Sequence, residues 1–245
     1  ALAEINNKYP YGGNNAADNS GVMTYVSICY AGARSTQDIE HNGLTLNGVG
    51  NGTTIENIYV LESADDAIEF FGGTVNVKNL LAVNPDDDMF DFTQGYCGTL
   101  SNCYGIWESD YTSTEADPRG IEADGNFDGL YPNHLRQSDF VVDGMTIVNN
   151  AANTTDNVDR MQDVIKIRRG AKATIKNALV KGTGGAIDLV DMNDGKGAGN
   201  AASTISITNS LQLTGKKLNG EAVLNEAGSN TGADTSVFGW TKYNF

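Results

Sequence analysis

The chain has 245 residues, with 16 Lys and Arg against 31 Asp and Glu and a formal net charge of -15. That balance repels nucleic-acid phosphates and anionic membrane surfaces, which argues against both as partners. No stretch approaches the run of about 18 apolar residues that a membrane-spanning helix needs.

The composition points to β-structure. There are 29 Gly and 4 Pro, and turn-forming pairs recur at Asn42-Gly43, Asn47-Gly48 and Asn51-Gly52. Short β-branched runs between these turns outnumber amphipathic helical patterns. Cys29, Cys97 and Cys103 make an odd count, which is no disulfide framework. Cys97 and Cys103 could pair, but Cys103 falls at an inward position and reads as a buried thiol. Ala1 to Glu4 carry no basic region and no apolar core, so no signal peptide is read there. A leader removed earlier, with further chain, stays open.

In chain order, residues 1–20 read as an irregular lead-in. A first strand pair follows at Gly21 to Ile28, then Leu44 to Leu46. Thr54 to Val60 leads into Ala64-Asp65-Asp66-Ala67-Ile68-Glu69-Phe70-Phe71. Asn76 to Ala82 leads into its near copy, Pro85-Asp86-Asp87-Asp88-Met89-Phe90-Asp91-Phe92, with Asp66 and Asp88 separated by 22 positions. Leu100 to Cys103 opens a coil with an insertion over 108–118 that resumes at Gly120-Ile121-Glu122. Further coils begin at Val142, Ile175 and Ile207, and 214–245 loses the pattern and ends in aromatics that read as a cap on the last coil.

Aligned on Met23, Ile55, Val77, Leu100, Val142, Ile175 and Ile207, the starts are spaced by 32, 22, 23, 42, 33 and 32 residues. A minimum near 22 is one turn of a solenoid, and the excess is outward loop. Two positions after the starts stand Asn57, Asn79, Asn102, Gly144, Asn177 and Asn209, residues that accept left-handed backbone angles. The spacing thus predicts a bend in every coil. Ile68 and Phe70, Phe90 and Phe92, Ile165 and Ile167, and Ile187 and Leu189 alternate inward, leaving Glu69, Asp91, Lys166 and Asp188 outward. The expectation is an all-β, right-handed parallel β-helix of about seven coils in one domain over 1–245, with one long loop insertion and an aromatic C-terminal cap.

The segments Asn14–Val22, Gly43–Gly50, Asp65–Val75 and Arg119–Asp124 resemble a family of bacterial right-handed parallel β-helix proteins common in Bacteroidetes. The resemblance runs from about residue 10 to the end. It implies an exported protein at the outer cell surface, often predicted to be a lipoprotein and sometimes labelled a multidrug transporter. It also implies further coils before this region. It implies no particular reaction, and the residues support no transport.

Several constellations carry chemistry. Asp65, Asp66, Asp87 and Asp88 would stack one coil apart, and such a column needs a cation, a shared proton or hydrogen-bond donors. Ca²⁺ suits oxygen-rich sites, while turn bracing by Asp side chains is the competing reading. Asp124, Asn126 and Asp128 fit the first half of a calcium loop, but its twelfth position is Leu135 rather than Glu. Asp66 and Asp88 are weak catalytic candidates for a glycosidase, and Arg168 is a weak candidate base for a lyase. Neither His41 nor His134 stands in a Gly-His-Gly segment, which such hydrolases carry. Trp107, Tyr111 and Tyr131 could stack on sugar or could form the insertion's own small core. The sequence thus points to a glycan-related binding or structural role. A polysaccharide lyase or glycoside hydrolase is the alternative, and a purely structural coat or stalk is the third reading.

Overall fold

A computed structural model describes residues 1–3, 6–33, 41–134, 136–152 and 161–245, with the side chains of Asn6, Asn7 and Asp128 outside the described part. Strands β1 (Leu2–Ala3) and β2 (Asn6–Pro10) pair antiparallel, so the lead-in is partly ordered as strand. The remaining strands form two parallel sheets that share one coil path.

The larger sheet stacks β3 (Val22–Cys29), β5 (Thr54–Leu61), β7 (Asn76–Val83), β9 (Thr99–Trp107), β11 (Asp139–Asn149), β13 (Lys172–Lys181), β15 (Thr204–Asn209) and β17 (Val223–Glu226). The smaller one stacks β4 (Leu44–Asn47), β6 (Ile68–Phe71), β8 (Phe90–Thr93), β10 (Ile121–Ala123), β12 (Met161–Ile167), β14 (Gly185–Asp191) and β16 (Gln212–Leu213). Every neighbour in a stack is one coil away, as a β-helix requires. The larger sheet gains an eighth rung, because β17 pairs with β15 inside the stretch expected to lose the repeat.

The register confirms Met23, Ile55, Val77, Leu100, Val142 and Ile175 as equivalent. The next equivalent is Ile205 rather than Ile207, and a register shift absorbs the difference. The bend column is left-handed at Tyr25, Asn57, Asn79, Asn102, Gly144 and Asn177. Its amides also form a ladder: Asn79 donates to Asn57 and Asn102 donates to Asn79, both at 2.9 Å. Inside the coil, Phe70, Phe92 and Phe140 stack, with centroids 5.1 and 4.1 Å apart. Ile68, Phe90, Ile121, Ile165 and Val190 complete an inward column; Val190 occupies the place expected for Ile187, which is only half-buried. Cys103 is a fully buried free thiol, and burial pushes its pKa up.

The excess residues between β9 and β11 split into two loops, 108–120 and 124–138, on either side of β10. The first loop folds down onto Asp86. That carboxylate accepts from the Tyr111 hydroxyl at 3.1 Å and the Thr114 N–H at 2.7 Å.

The aromatic tail lies elsewhere than on the last coil. It runs back across the outer face of the larger sheet, along the bend column. Thr231 N–H donates to Asn177 at 2.7 Å, Ala233 N–H to Thr146 at 2.9 Å and Asp234 N–H to Asn102 at 2.6 Å. Trp240 reaches Tyr25 on β3 edge-on, with centroids 5.6 Å apart. Phe238 seals a second apolar cluster with Leu81, Val83, Tyr104, Ile106 and Val148, all outside the coil. Alternation forces those side chains outward, and without the tail they would face water. Truncating a buried Phe costs about 3–5 kcal/mol. Phe238→Ala is therefore expected to lower unfolding stability by about that amount in urea denaturation; a loss under about 1 kcal/mol would mean the tail is not packed as described.

Candidate functional site

The smaller sheet turns its outer face to a different task. Parallel, in-register stacking places equivalent side chains about 4.8 Å apart. Wherever the repeat keeps an acid, carboxylates therefore meet. One column reads Thr45, Glu69, Asp91, Glu122, Lys166 and Asp191. A second, three residues before the first, contains Asp66, Asp88, Arg119, Asp163 and Asp188; backbone bonds from Ala67 to Asp88 and from Met89 to Arg119 fix its steps. Lys166 thus pairs with Asp191, and Asp188 belongs beside Asp163, three residues away from the expected place.

The two columns interlock. Oxygens of Asp66, Glu69 and Asp91 lie within 4.8 Å of one another, as do those of Asp88, Asp91 and Glu122, of Asp65, Asp66 and Asp87, and of Asp163, Asp188 and Asp191. Two carboxylates about 5 Å apart repel by roughly 1 kcal/mol in water and by roughly 3 at an effective dielectric of 20. These are not water-like surroundings: Asp66, Asp88 and Glu122 are 5%, 2% and 8% exposed.

Basic side chains neutralise the later rungs. Lys166 bonds to Asp191 and lies 3.7 Å from Asp163, so its ammonium sits amid the last carboxylate trio. Arg119 bonds to Glu122 and to Asp117 at 2.6 Å, and stands 3.9 Å from Asp88. Arg168 bonds to Glu122 and, at 3.0 Å, to Asp124. Burial opposes the charge on Arg119, but Asp88 and Glu122 hold its pKa above the usual value.

The earlier rungs are less completely satisfied. The Oδ1 atoms of Asp87, Asp88 and Asp91 are buried with no hydrogen-bond partner. Burial, reinforced by neighbouring acids, pushes Asp66, Asp87, Asp88 and Asp91 well above the ordinary carboxylate range. Burial also raises Glu122, against the pull of Arg119 and Arg168. At Asp163 burial wins over Lys166 and lifts the carboxyl to about 6.

The expected site residues fare unevenly. Asp65, Asp66, Asp87 and Asp88 do gather, and Glu69, Asp91 and Glu122 join them. Asp66 also braces a turn, accepting from the Asp88 N–H at 2.9 Å. As buried groups one rung apart, Asp66 and Asp88 do not present an open acid–base pair. Arg168 is held by two carboxylates that raise its pKa, a poor state for a general base. In the expected calcium loop, Asp124 is paired with Arg168 and Arg169, and Asn126 donates to the Arg136 carbonyl at 2.7 Å. The Asp128 side chain and Leu135 lie outside the described residues. Trp107 is 1% exposed and donates to the Pro85 carbonyl at 2.9 Å, so it is core and not a sugar platform. Tyr111 packs beside it, while Tyr131 is exposed and meets Phe127 edge-on at 5.2 Å.

A fold of stacked parallel rungs with a carboxylate-lined outer face invites comparison with known β-helices. The family model described as a pectate-lyase-like β-helix domain matches residues 1–242. The chain belongs to that family. No curated protein and no solved structure matches it. Pectate-lyase-like β-helices fit a glycan-related role, although a fold shared by many functions does not name one.

The raised carboxylates make a pH prediction for this family member in chelating buffer. A carboxyl with a raised folded pKa takes up a proton on folding, so its contribution is full below the unfolded pKa and is lost as pH climbs through the folded one. For Asp163 that window runs from 3.8 to about 6, and the raised carboxyls of Asp66, Asp87, Asp88 and Asp91 act in the same direction. The melting temperature is expected to be higher at about pH 5 than at about pH 8. A melting temperature that rises steadily over that range would contradict the described burial.

Proposed function

We propose that this protein is an exported, cell-surface β-helix that binds glycan on the outer face of its smaller sheet. There it holds a hard divalent cation, Ca²⁺, against Asp66, Glu69, Asp88 and Asp91. Export is proposed from the sequence resemblance, and the glycan-related role from the β-helix domain. Among the described residues no helix is long and apolar enough to cross a membrane, and transport forms no part of the proposal.

The observation that carries the cation is the buried, unpartnered Oδ1 of Asp88 and of Asp91 within one carboxylate group. Buried acceptors are normally satisfied, and each one left open costs about 1–3 kcal/mol, more when charged. Where a lysine or arginine reaches the ladder, it takes the part of the cation. Where these acceptor atoms stay open, an oxygen-seeking ion fits the donor set, since Ca²⁺ takes carboxylate oxygens in flexible geometry. Binding is preferred to catalysis because Arg168 is locked in ion pairs and the acids are stacked, not opposed across a cleft.

Metal dependence tests this reading. Calcium at about a hundred times its Kd should stabilise the fold by about 2.7 kcal/mol, a melting shift on the order of 5–10 °C that EDTA reverses. Asp91→Asn should melt no lower than the parent in EDTA, because it removes like-charge repulsion, yet lose the calcium shift. No calcium shift in the parent, or an undiminished one in Asp91→Asn, would sink the cation. A glycan array probed with and without EDTA addresses the ligand; absence of any binding would favour a purely structural surface role.

A further inference from the structure

Lys166 stands apart from the other lysines. Among the described residues it is the only lysine that is buried, 8% exposed on β12. Its register partner on β14 is Asp191, also 8% exposed, and Asp163 beside them is 3% exposed. A primary amine and two carboxyls are thus held together out of water.

Charge compensation needs only proximity, and these atoms are placed more specifically than that. Lys166 Nζ contacts Asp191 Oδ2. The other oxygen, Oδ1, accepts from the Asn193 N–H at 2.9 Å, which fixes the carboxyl group. That N–H stands where negative charge gathers when a nucleophile adds to Cγ, the place of an oxyanion donor. Asp163 Oδ2 lies 3.7 Å from Nζ, and oxygens of Asp163, Asp188 and Asp191 lie within 4.8 Å of one another. Burial, against the pull of Lys166, lifts the Asp163 carboxyl to about 6. A proton relay works best with its pKa near the working pH. Asp188 and Arg119, whose Nε is 4.0 Å away, are the other charged groups beside Asp163.

These surroundings favour condensation. In water an ammonium and a carboxylate are strongly hydrated, and they persist as ions. Burial strips that hydration, so the ion pair carries a desolvation penalty. An amide in its place has no charge to desolvate. Fixing the amine against the carbonyl carbon also supplies the effective molarity that free reactants lack.

We propose that Lys166 and Asp191 condense into an intramolecular amide that ties β12 to β14, with Asp163 relaying the protons. The ammonium passes one proton through Asp163 to Oδ2, leaving a neutral amine beside a neutral carboxyl. The nitrogen lone pair attacks Cγ, the N–C bond forms, and Oδ1 takes the negative charge beside the Asn193 N–H. Asp163 carries a second proton from nitrogen to Oδ2. The Cγ–Oδ2 bond then breaks with its electron pair, and one water leaves. One hydrogen stays on the amide nitrogen, nothing is oxidised or reduced, and no co-reactant is needed. The bond closes a covalent loop between neighbouring rungs in a chain whose Cys29, Cys97 and Cys103 are free thiols.

Mass spectrometry of the denatured full chain tests it. The chain is expected to be lighter than its sequence by one water. Trypsin should release 161–168 joined to 182–196, because an acylated Lys166 resists cleavage. Lys166→Arg keeps the positive charge but not the amine, and should show its full sequence mass with the parent's far-UV spectrum. Asp163→Asn should lose water about a hundredfold or more slowly, and so be isolated chiefly at full mass. A parent at full sequence mass would overturn the bond. So would a water lost within one unlinked peptide, as by cyclisation at Asp194-Gly195, or water loss undiminished in Lys166→Arg. Undiminished loss in Asp163→Asn would overturn the relay.

Discussion

In-register parallel stacking governs this molecule. Each rung lies about 4.8 Å from the next, so whatever side chain the repeat places at a position meets its own kind above and below. For apolar side chains this is favourable without further condition, and Phe70, Phe92 and Phe140 exploit it inside the coil. For asparagine it is also favourable, since an amide both donates and accepts, and the Asn57–Asn79–Asn102 ladder follows. For carboxylates it is unfavourable unless something positive intervenes. Arg119, Lys166 and Arg168 intervene in the later rungs, and the earlier rungs raise the question of what else does.

The two outer faces resolve the same geometric problem in opposite ways. On the larger sheet the outward residues past the bend are apolar, and the chain covers them with its own C-terminal tail. On the smaller sheet the outward residues are ionic, and the coil leaves them as a ladder. One face is thus closed by the protein itself. The other carries the polar chemistry.

Much of the fold was legible in the residues, for a definite reason. A strand has a period of two and a coil has a nearly constant length, so Ile68 and Phe70 against Phe90 and Phe92 declare both at once. The bend asparagines were legible because few residues accept a left-handed backbone. The last aligned start was misplaced at Ile207 because the bend residue is lost in β15 and the register slips there. Arg119 was harder to place in the Asp66–Asp88 column because an insertion separates it from the repeat it continues. Asp188 was taken for Asp191 since β14 carries an acid at both places, and only pairing distinguishes them. The tail's path rests on bonds between positions as distant as Asp234 and Asn102, which no local pattern encodes. Trp107 reads as exposed or buried with equal ease from sequence, because its indole is apolar with one donor; the Pro85 carbonyl settles it.

A stacked column of buried acids should recruit a cation where the chain supplies too few of its own. The most direct measurement is anomalous diffraction from a crystal grown with calcium or soaked with a lanthanide. A peak is expected among the carboxylates of Asp66, Glu69, Asp88 and Asp91, at oxygen distances of about 2.3–2.6 Å. A well-ordered ladder without density there, or a peak only at the Asp124–Asp128 loop, would contradict it.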